Sequence, residues 1–241
     1  MSIQDILGHL RRADNDFDLI QDGDKIAIGL SGGKDSLTLV KALSIYQKFG
    51  HKKFDVVAIT IDGTDGQADI SKVAKFCEKH GIEHHIERTQ LFKVLFEIRK
   101  EKNPCSLCSK MRRGSLNAKA KQLGCNKVAL GHHGDDMVET FLLCMLYEGR
   151  LWTLQPKSYM DKADITLIRP LIYVTEAETI ALSKAEKFPI LVNTCPVNGY
   201  TKREYMKNLV KKLGKDVPAA RNQMMNAISR GIKAGKFSDE V

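Results

Sequence analysis

Short hydrophobic runs separated by longer amphipathic stretches dominate the chain. Four apolar runs, each bounded by charged or turn-forming residues, predict buried strands, and a weaker fifth run follows them. They are KIAIGL (25–30), FDVVAITI (54–61), IEHHIE (82–87), KVALGH (127–132) and ITLIRPL (165–171).

The stretches between these runs have helical spacing. In the first of them, Leu37, Val40 and Leu43 mark an apolar stripe that ends at Gly50. Helices are predicted at 36–50, 69–80, 105–123, 134–148 and 175–187. Strands that alternate with helices predict an α/β fold with a doubly wound parallel sheet, in which ligands bind at the carboxyl ends of the strands.

The two ends of the chain differ from this alternating centre. Residues 1–20 predict an amphipathic helix without the apolar region of a signal peptide, and residues 191–241 predict a basic helical extension. Residues 21–190 form the predicted α/β domain. Charged residues interrupt every apolar run well before the length of a membrane span. We therefore expect a cytoplasmic protein with reduced cysteines and no membrane segment.

The formal net charge of +9 is concentrated in two segments. Residues 93–121 carry +7 and residues 198–241 carry +6, so the remainder is mildly acidic. Basic segments of this kind indicate a polyanionic partner. Two solvated helix faces would have the same composition, and charge alone leaves both interpretations open.

The sequence SGGKDS follows the first predicted strand and opens the next helix. Gly32 and Gly33 let the backbone turn tightly, so that its N–H groups can approach an anion. Ser31 and Ser36 add hydroxyl donors, and the start of the helix favours negative charge. The loop lacks the Gly-Lys-Ser/Thr of a Walker A motif and the spacing of G-x-G-x-x-G. It therefore predicts a phosphate-binding turn of another kind.

SGGKDS resembles the PP-loop of the N-type ATP pyrophosphatases. The resemblance implies that ATP is cleaved between its α- and β-phosphates and that AMP passes to a substrate oxygen. Residues 31–36, including Lys34, would hold the departing pyrophosphate. Asp35 is then a predicted Mg²⁺ contact, because magnesium binds one or two carboxylates together with phosphate oxygens. The adenine is expected beside the loop after the second strand, at Ile59, Ile61 and Asp62. The sequence at Asp62 would equally suit a simple turn.

NPCSLCSKMRRG places Cys105 and Cys108 at C-x-x-C spacing at the start of a basic helix. Two thiolates at this spacing can share one metal ion, and neighbouring cations lower thiol pKa values. Cys195 is the other cysteine in a loop context. Three such thiolates fit a [4Fe–4S] cluster with one iron lacking a protein ligand, although a redox-active or persulfide-carrying pair and a zinc site stay open. The remaining cysteines lie in apolar stretches and are interpreted as packing residues: Cys77, Cys125 and Cys144.

LGHHGDDMVET follows the fourth predicted strand. Gly131 and His132 lie at the carboxyl end of this strand, and Asp135 and Asp136 are expected to cap the next helix. Histidine and aspartate at a helix start could bind a metal ion or form cap and phosphate contacts. The ATP loop nearby favours the second interpretation.

The motifs SGGKDS, PCSLCSKMRRG, GHHGDDMVET and IRPL, in this order, resemble those of tRNA 2-thiocytidine synthetase (TtcA-like) proteins over about residues 20–200. The resemblance implies that a tRNA anticodon-loop cytidine is adenylated at its C2 oxygen and that sulfur then displaces AMP. It implies a [4Fe–4S] cluster held by Cys105, Cys108 and Cys195, with sulfur from a cysteine desulfurase or from sulfide, and it allows a homodimer. One departure concerns Cys195, because the family commonly has a second C-x-x-C in this region.

Recognition of tRNA is expected to rest on the two basic segments, through backbone contacts that weaken with salt. The predicted contacts are Lys110, Arg112, Arg113, Lys202, Arg203, Lys211 and Lys212. Other functions fit the same motifs: thiolation of another tRNA base, ATP-dependent sulfur transfer or amidation of a small molecule, and a nucleotide or iron–sulfur sensor without turnover. Assays of tRNA binding and of pyrophosphate release distinguish them.

Overall fold

A computed structural model describes residues 2–100, 104–191 and 202–237 of the chain. Within these residues, the strands are β1 (Lys25–Gly29), β2 (Asp55–Asp62), β3 (Glu83–Arg88), β4 (Lys127–Ala129), β5 (Lys157–Met160) and β6 (Ile165–Ile168). They form one sheet in the order β3-β2-β1-β4-β6-β5, in which β5 runs antiparallel to β6 and all other neighbours are parallel. The structure thus confirms the predicted α/β fold, with one antiparallel edge strand that was not predicted.

Helices cover this sheet, and helices also precede its first strand and follow its last one. They are α1 (Ile3–Phe17), α2 (Lys34–Phe49), α3 (Ser71–Lys79), α4 (Pro104–Gln122), α5 (Gly134–Glu148), α6 (Glu176–Ala185), α7 (Lys202–Asp216) and α8 (Ala220–Lys233). The predicted helices are all present within a few residues of their expected bounds, whereas a short π-helix (Lys93–Ile98) was not predicted. In the part of the chain that the structure describes, no helix is long and apolar enough to cross a membrane.

Both faces of the sheet are buried. Alternate residues of β1 point to opposite faces, so Ile26 and Ile28 join the larger core cluster and Ala27 joins the smaller one. The larger cluster includes Leu37 of α2, and the smaller one includes Leu116 of α4. This two-sided burial explains why the central strands are continuous apolar runs in the sequence.

The terminal helices pack against the larger cluster. Ile6 and Leu10 of α1 are fully buried in it, as is Met206 of α7, and Ile228 of α8 is 2% exposed. The segments predicted as an N-terminal helix and a C-terminal extension therefore share the core of the central domain.

The order of the strands places a crevice beside β1. The chain leaves β1 through α2 and returns on one side as β2, whereas β4 lies on the other side of β1. Where the connections from two adjacent parallel strands lead to opposite sides of the sheet, the loops at their carboxyl ends separate and leave a binding crevice. The loops after β1 and β4 lie at this position, and both carry motifs with predicted roles in ATP binding.

Candidate active site

The loop between β1 and α2 has the geometry of an anion-binding turn. Gly32 has a φ of +77°, which glycine adopts without steric cost, and a Cβ there would lie 2.5 Å from the Leu191 side chain. Ser31 Oγ donates to Ser36 Oγ (3.1 Å), which donates to the Gly33 carbonyl (2.9 Å). Because Gly33 is the N-cap of α2, no cap side chain occupies the first N–H groups of the helix. The loop therefore presents N–H and hydroxyl donors at a helix start, as phosphate binding requires.

The two charged residues of this loop pair with each other and with α6. Lys34 Nζ lies 3.0 Å from Asp35 Oδ2 and 3.3 Å from Glu176 Oε1. Thr179 donates to Asp35 Oδ1 at 2.6 Å. Burial opposes the charge on Lys34, but the two carboxylates outweigh burial and raise its pKa. Glu176 and Thr179 thus hold the charged end of the loop, a role that no motif in the sequence indicated.

Ile59 and Ile61, which were predicted to lie beside adenine in the loop after the second strand, are within β2 itself, and both line the cavity. Asp62 also lines the cavity, but its carboxylate folds its own loop, accepting hydrogen bonds from the Thr64 hydroxyl (2.6 Å), the Thr64 N–H (2.8 Å) and the Gly66 N–H (2.8 Å). Burial opposes ionisation of Asp62, and these hydrogen bonds outweigh it and lower its pKa. The side chain of Asp62 therefore has the turn role that the sequence left open.

The loop after β4 touches the loop after β1. A Cβ on Gly131 would lie 2.9 Å from the Asp35 carbonyl carbon and 3.0 Å from the Ser36 nitrogen, so only glycine allows this approach. The N-cap of α5 is His133 and not, as predicted, Asp135 or Asp136. The His133 ring accepts a hydrogen bond from the Asp136 N–H at 3.4 Å. Asp136 completes a capping box by accepting from the His133 N–H at 2.9 Å.

The two acidic residues at the start of α5 are bound by the C-terminal helices. Arg221 of α8 donates through Nε and Nη2 to both oxygens of Asp135, which also accepts from the Glu176 N–H at 2.7 Å. Arg203 of α7 donates to Asp136 Oδ1 at 2.8 Å. Burial opposes ionisation of Asp135, but the hydrogen bonds from Arg221 outweigh it and lower its pKa. Both predicted phosphate contacts are therefore engaged in ion pairs within the protein.

Cys105 and Cys108 lie in the first turns of α4 and line the cavity. The structure buries Cys77, Cys125 and Cys144, and burial raises the pKa of the Cys77 thiol to about 12, so these three are packing residues. No disulfide joins the five cysteines that the structure describes. The predicted third ligand, Cys195, lies outside the described residues. Within residues 2–100, 104–191 and 202–237, no three potential metal ligands form a cluster.

One cavity of about 700 Å³ brings these features together. Its lining includes Ser31 and Gly33 of the loop after β1, Ile59 and Ile61 of β2, and the two cysteines of α4. This volume is typical of a small-molecule site. Arginines from three elements also line it: Arg112, Arg113, Arg169 and Arg203.

Arg112, Arg113 and Arg203, which were predicted to contact the tRNA backbone, line the cavity. Arg203 also donates to Asp136 and to the Thr140 hydroxyl (3.0 Å). The lysines of the same prediction lie outside the cavity lining: Lys110, Lys202, Lys211 and Lys212 are exposed. Lys202 Nζ lies 4.3 Å above the Tyr147 ring.

Three cavity side chains keep a buried nitrogen atom without a hydrogen-bond partner among the described residues: Arg112 Nε, Arg169 Nε and His132 Nδ1. Arg169, at the end of β6, is 6% exposed, and burial together with nearby Arg113 lowers its pKa to about 10. Burial lowers the pKa of His132 to about 4, so its ring is neutral at pH 7. Because unpaired buried polar atoms cost free energy, these nitrogens are suited to an anionic or polar ligand. Arg169 belongs to the IRPL motif, which gave no indication of its position.

The chain matches known proteins over most of its length. A family model described as a PP-loop domain matches residues 7–213. The chain is 41% identical over 223 residues to a tRNA-cytidine(32) 2-sulfurtransferase from Geobacter metallireducens, covering 90% of this chain and 86% of that protein. It is 40% identical over 222 residues to the protein of the same name from Geobacter sulfurreducens, with the same coverage.

A solved structure is similar in fold and in sequence. The U34-tRNA thiolase NcsA from Methanococcus maripaludis, with its [4Fe-4S] cluster, superposes with a TM-score of 0.75. The two chains are 26% identical, and the match covers 94% of this chain and 78% of that one.

Proposed function

Because the chain belongs to the PP-loop domain family and, within it, to the tRNA-cytidine(32) 2-sulfurtransferases, we propose that it is an ATP-dependent tRNA thiolase that modifies a cytidine of the anticodon loop. The observation that carries the proposal is the single cavity lined by Ser31 and Gly33 and by Cys105 and Cys108. An adenylating loop and a thiol pair that share one cavity can act in turn on the same carbonyl group of a substrate.

The loop after β1 binds the pyrophosphate end of ATP in this proposal. Its N–H groups, the Ser31 and Ser36 hydroxyls and Lys34 would stabilise charge that develops on the leaving phosphates. In this proposal Asp35 contacts a Mg²⁺ ion at the phosphates, which would neutralise part of that charge. The arginines on the cavity wall add positive charge, whereas the lining carboxylate of Asp62 is satisfied by its own loop.

The proposed reaction has two steps, adenylation of the base and insertion of sulfur. The C2 oxygen of the base attacks the α-phosphate, the bond to the β-phosphate breaks, and pyrophosphate leaves. Sulfur at the oxidation level of sulfide then attacks C2 as the nucleophile, the C2–O bond breaks, and AMP leaves with that oxygen. Buried donors such as Arg169 Nε are positioned in the cavity to stabilise the anionic groups of both steps.

The cysteines of α4 fit a [4Fe–4S] cluster. Cys105 and Cys108 are separated by one turn and face the cavity, while every other described cysteine is buried in the core. We propose that these two residues and Cys195 hold the cluster, which when bound supplies an open iron for sulfur. We further propose that the sulfur comes from sulfide, or from the persulfide of a cysteine desulfurase after an external thiol has reduced it to sulfide. We also propose cytoplasmic location, and a homodimer as the assembly to test by light scattering.

The test is anaerobic purification, iron analysis, and a thiolation assay that detects the thionucleoside by mass spectrometry. The wild type should contain about four irons per chain and should release pyrophosphate and form thiocytidine only when tRNA is present. Cys105→Ser should lose iron and thiolation, while Cys125→Ala, at a buried core thiol, should keep both. Pyrophosphate release that does not depend on tRNA would refute the proposal, as would ATP binding without any pyrophosphate.

A further inference from the structure

Two aromatic rings and one guanidinium form a wall of the cavity. The rings of Phe92 and Phe96 meet edge to face, with centroids 6.0 Å apart and planes at 67°. The Arg112 guanidinium carbon lies 5.6 Å from the Phe92 centroid, within the range of a cation–π contact. All three side chains line the cavity, and both rings are half-buried. We refer to these three residues as the aromatic wall.

Local structure fixes the wall in place. Leu91 and Leu95 are buried at 2% and 0% exposure, so the residues that directly follow them, Phe92 and Phe96, are held toward the cavity. The Phe92 N–H donates to the Gly63 carbonyl at 3.1 Å, which ties the wall to the loop after β2. Phe96 lies within the π-helix, a rare element that is frequently found at functional sites.

The aromatic wall adjoins the thiols. Arg112 lies one helical turn after Cys108 on α4, and side chains four residues apart share a helix face. The face of α4 that lines the cavity includes Cys105, Cys108, Ser109, Arg112 and Leu116. A ligand that contacts the wall therefore lies beside the proposed source of sulfur.

The chemistry of the wall fits a nucleobase. Aromatic rings and arginine guanidinium planes are the surfaces on which unstacked bases are bound in proteins that recognise single-stranded RNA. Arg112 Nε is buried and has no hydrogen-bond partner among the described residues, so it can donate to a base acceptor such as N3 or O2 of cytosine. Aliphatic side chains also line the cavity and offer an apolar surface for adenine: Leu30 and Leu130, directly after β1 and β4, and Ile59 of β2.

We infer that Phe92, Phe96 and Arg112 bind the tRNA base that is modified, after it has been turned out of the anticodon loop into the cavity. This inference rests on the proposed function and assigns the base to a position between the ATP loop and Cys108. Stacking holds the base flat against the wall, and the Arg112 donor fixes its edge.

The test compares single-turnover thiolation by Phe96→Leu and Arg112→Lys with the wild type. Base–aromatic stacking implies that Phe96→Leu lowers thiolation efficiency by roughly 5- to 150-fold. Arg112→Lys keeps the charge but loses the planar group and Nε, so it should also lower efficiency. ATP affinity and iron content should stay unchanged in both. Phe49→Leu, at a phenylalanine that is 81% exposed at the end of α2 and outside the cavity lining, is the matched control and should behave as wild type.

The outcomes separate the two claims. If the wild type thiolates tRNA and both Phe96→Leu and Arg112→Lys match Phe49→Leu, the aromatic wall does not bind the base, and the proposed function stands. If the variants lose ATP affinity in proportion to thiolation, the aromatic wall binds adenine, which also overturns the inference. A wild type that never thiolates tRNA refutes the proposed function, and with it the base-binding role of the aromatic wall.

Discussion

Glu139 is a buried acid that the described structure leaves without an ion pair. It lies on α5 one turn after Asp136 and is 7% exposed. Burial raises its pKa from an ordinary value of 4.5 to about 7, the negative charge of Asp136 adds to this effect, and Arg203 and Lys207 oppose it. We predict that Glu139→Gln changes the pH dependence of stability.

The magnitude follows from proton linkage. Because the pKa of Glu139 is raised on folding, its stabilising contribution is full below pH 4.5 and is lost as the pH rises to about 7. In that window the unfolded chain has released a proton that the folded chain still holds, so unfolding becomes easier with each pH step. One pKa unit corresponds to about 1.4 kcal/mol, and between pH 5 and pH 8 the loss is therefore on the order of 2–3 kcal/mol.

Glutamine does not titrate, so the variant should gain stability relative to the wild type by that amount as the pH is raised. The assay is urea unfolding of both proteins at pH 5, 6, 7 and 8 under anaerobic conditions, with the difference in free energy of unfolding plotted against pH. Glu78→Gln, at an exposed position of α3, provides the same chemical change without burial. A difference that stays flat for Glu139→Gln, as it should for Glu78→Gln, would refute the argument.

Three further outcomes are expected. Gly131→Ala should weaken ATP binding about tenfold or more in titration calorimetry, because its Cβ would displace the backbone of the loop between β1 and α2. The control Gly8→Ala, whose Cβ would meet nothing within 4 Å, should bind ATP normally. Arg221→Gln removes the donors to Asp135 and should lower the free energy of unfolding by about 1–3 kcal/mol in urea titrations, and an unchanged value would mean that this ion pair is not stabilising. The double variant Lys211→Gln, Lys212→Gln should reduce the salt dependence of tRNA binding by about one unit of slope for each lysine that contacts a phosphate. An unchanged slope would show that neither lysine contacts a tRNA phosphate.

The central fold was predictable because its strands are buried on both faces. Such strands are continuous apolar runs, and those that became β1 and β2 were placed within one residue. β5 was missed for the opposite physical reason: Lys157–Met160 pairs with β6 alone, half of its residues are exposed, and no apolar run marks it. The run at 127–132 was overextended, since the strand ends at Ala129 and Gly131 already belongs to the turn against the ATP loop.

The site was predictable where a motif is contiguous and not where tertiary contacts build it. SGGKDS and C-x-x-C carry their geometry in adjacent residues. The ion pair between Asp135 and Arg221 joins residues far apart in the chain, so no local sequence pattern predicts it. The side of α4 that faces the cavity was equally hidden, because the basic composition of the helix is the same whether Arg112 points to solvent or into the cavity.

The ion pairs between α5 and the last two helices have a consequence for synthesis on the ribosome. The sheet is complete once β6 has been made, but Asp135 and Asp136 then still lack Arg221 and Arg203, which come later in the chain. At roughly 5–20 residues per second, this interval lasts on the order of several seconds. During it, the nascent chain carries two carboxylates at the start of α5 that have not yet met their arginine partners. Emergence of α8, rather than completion of the sheet, therefore sets the earliest moment at which both carboxylates can form their ion pairs.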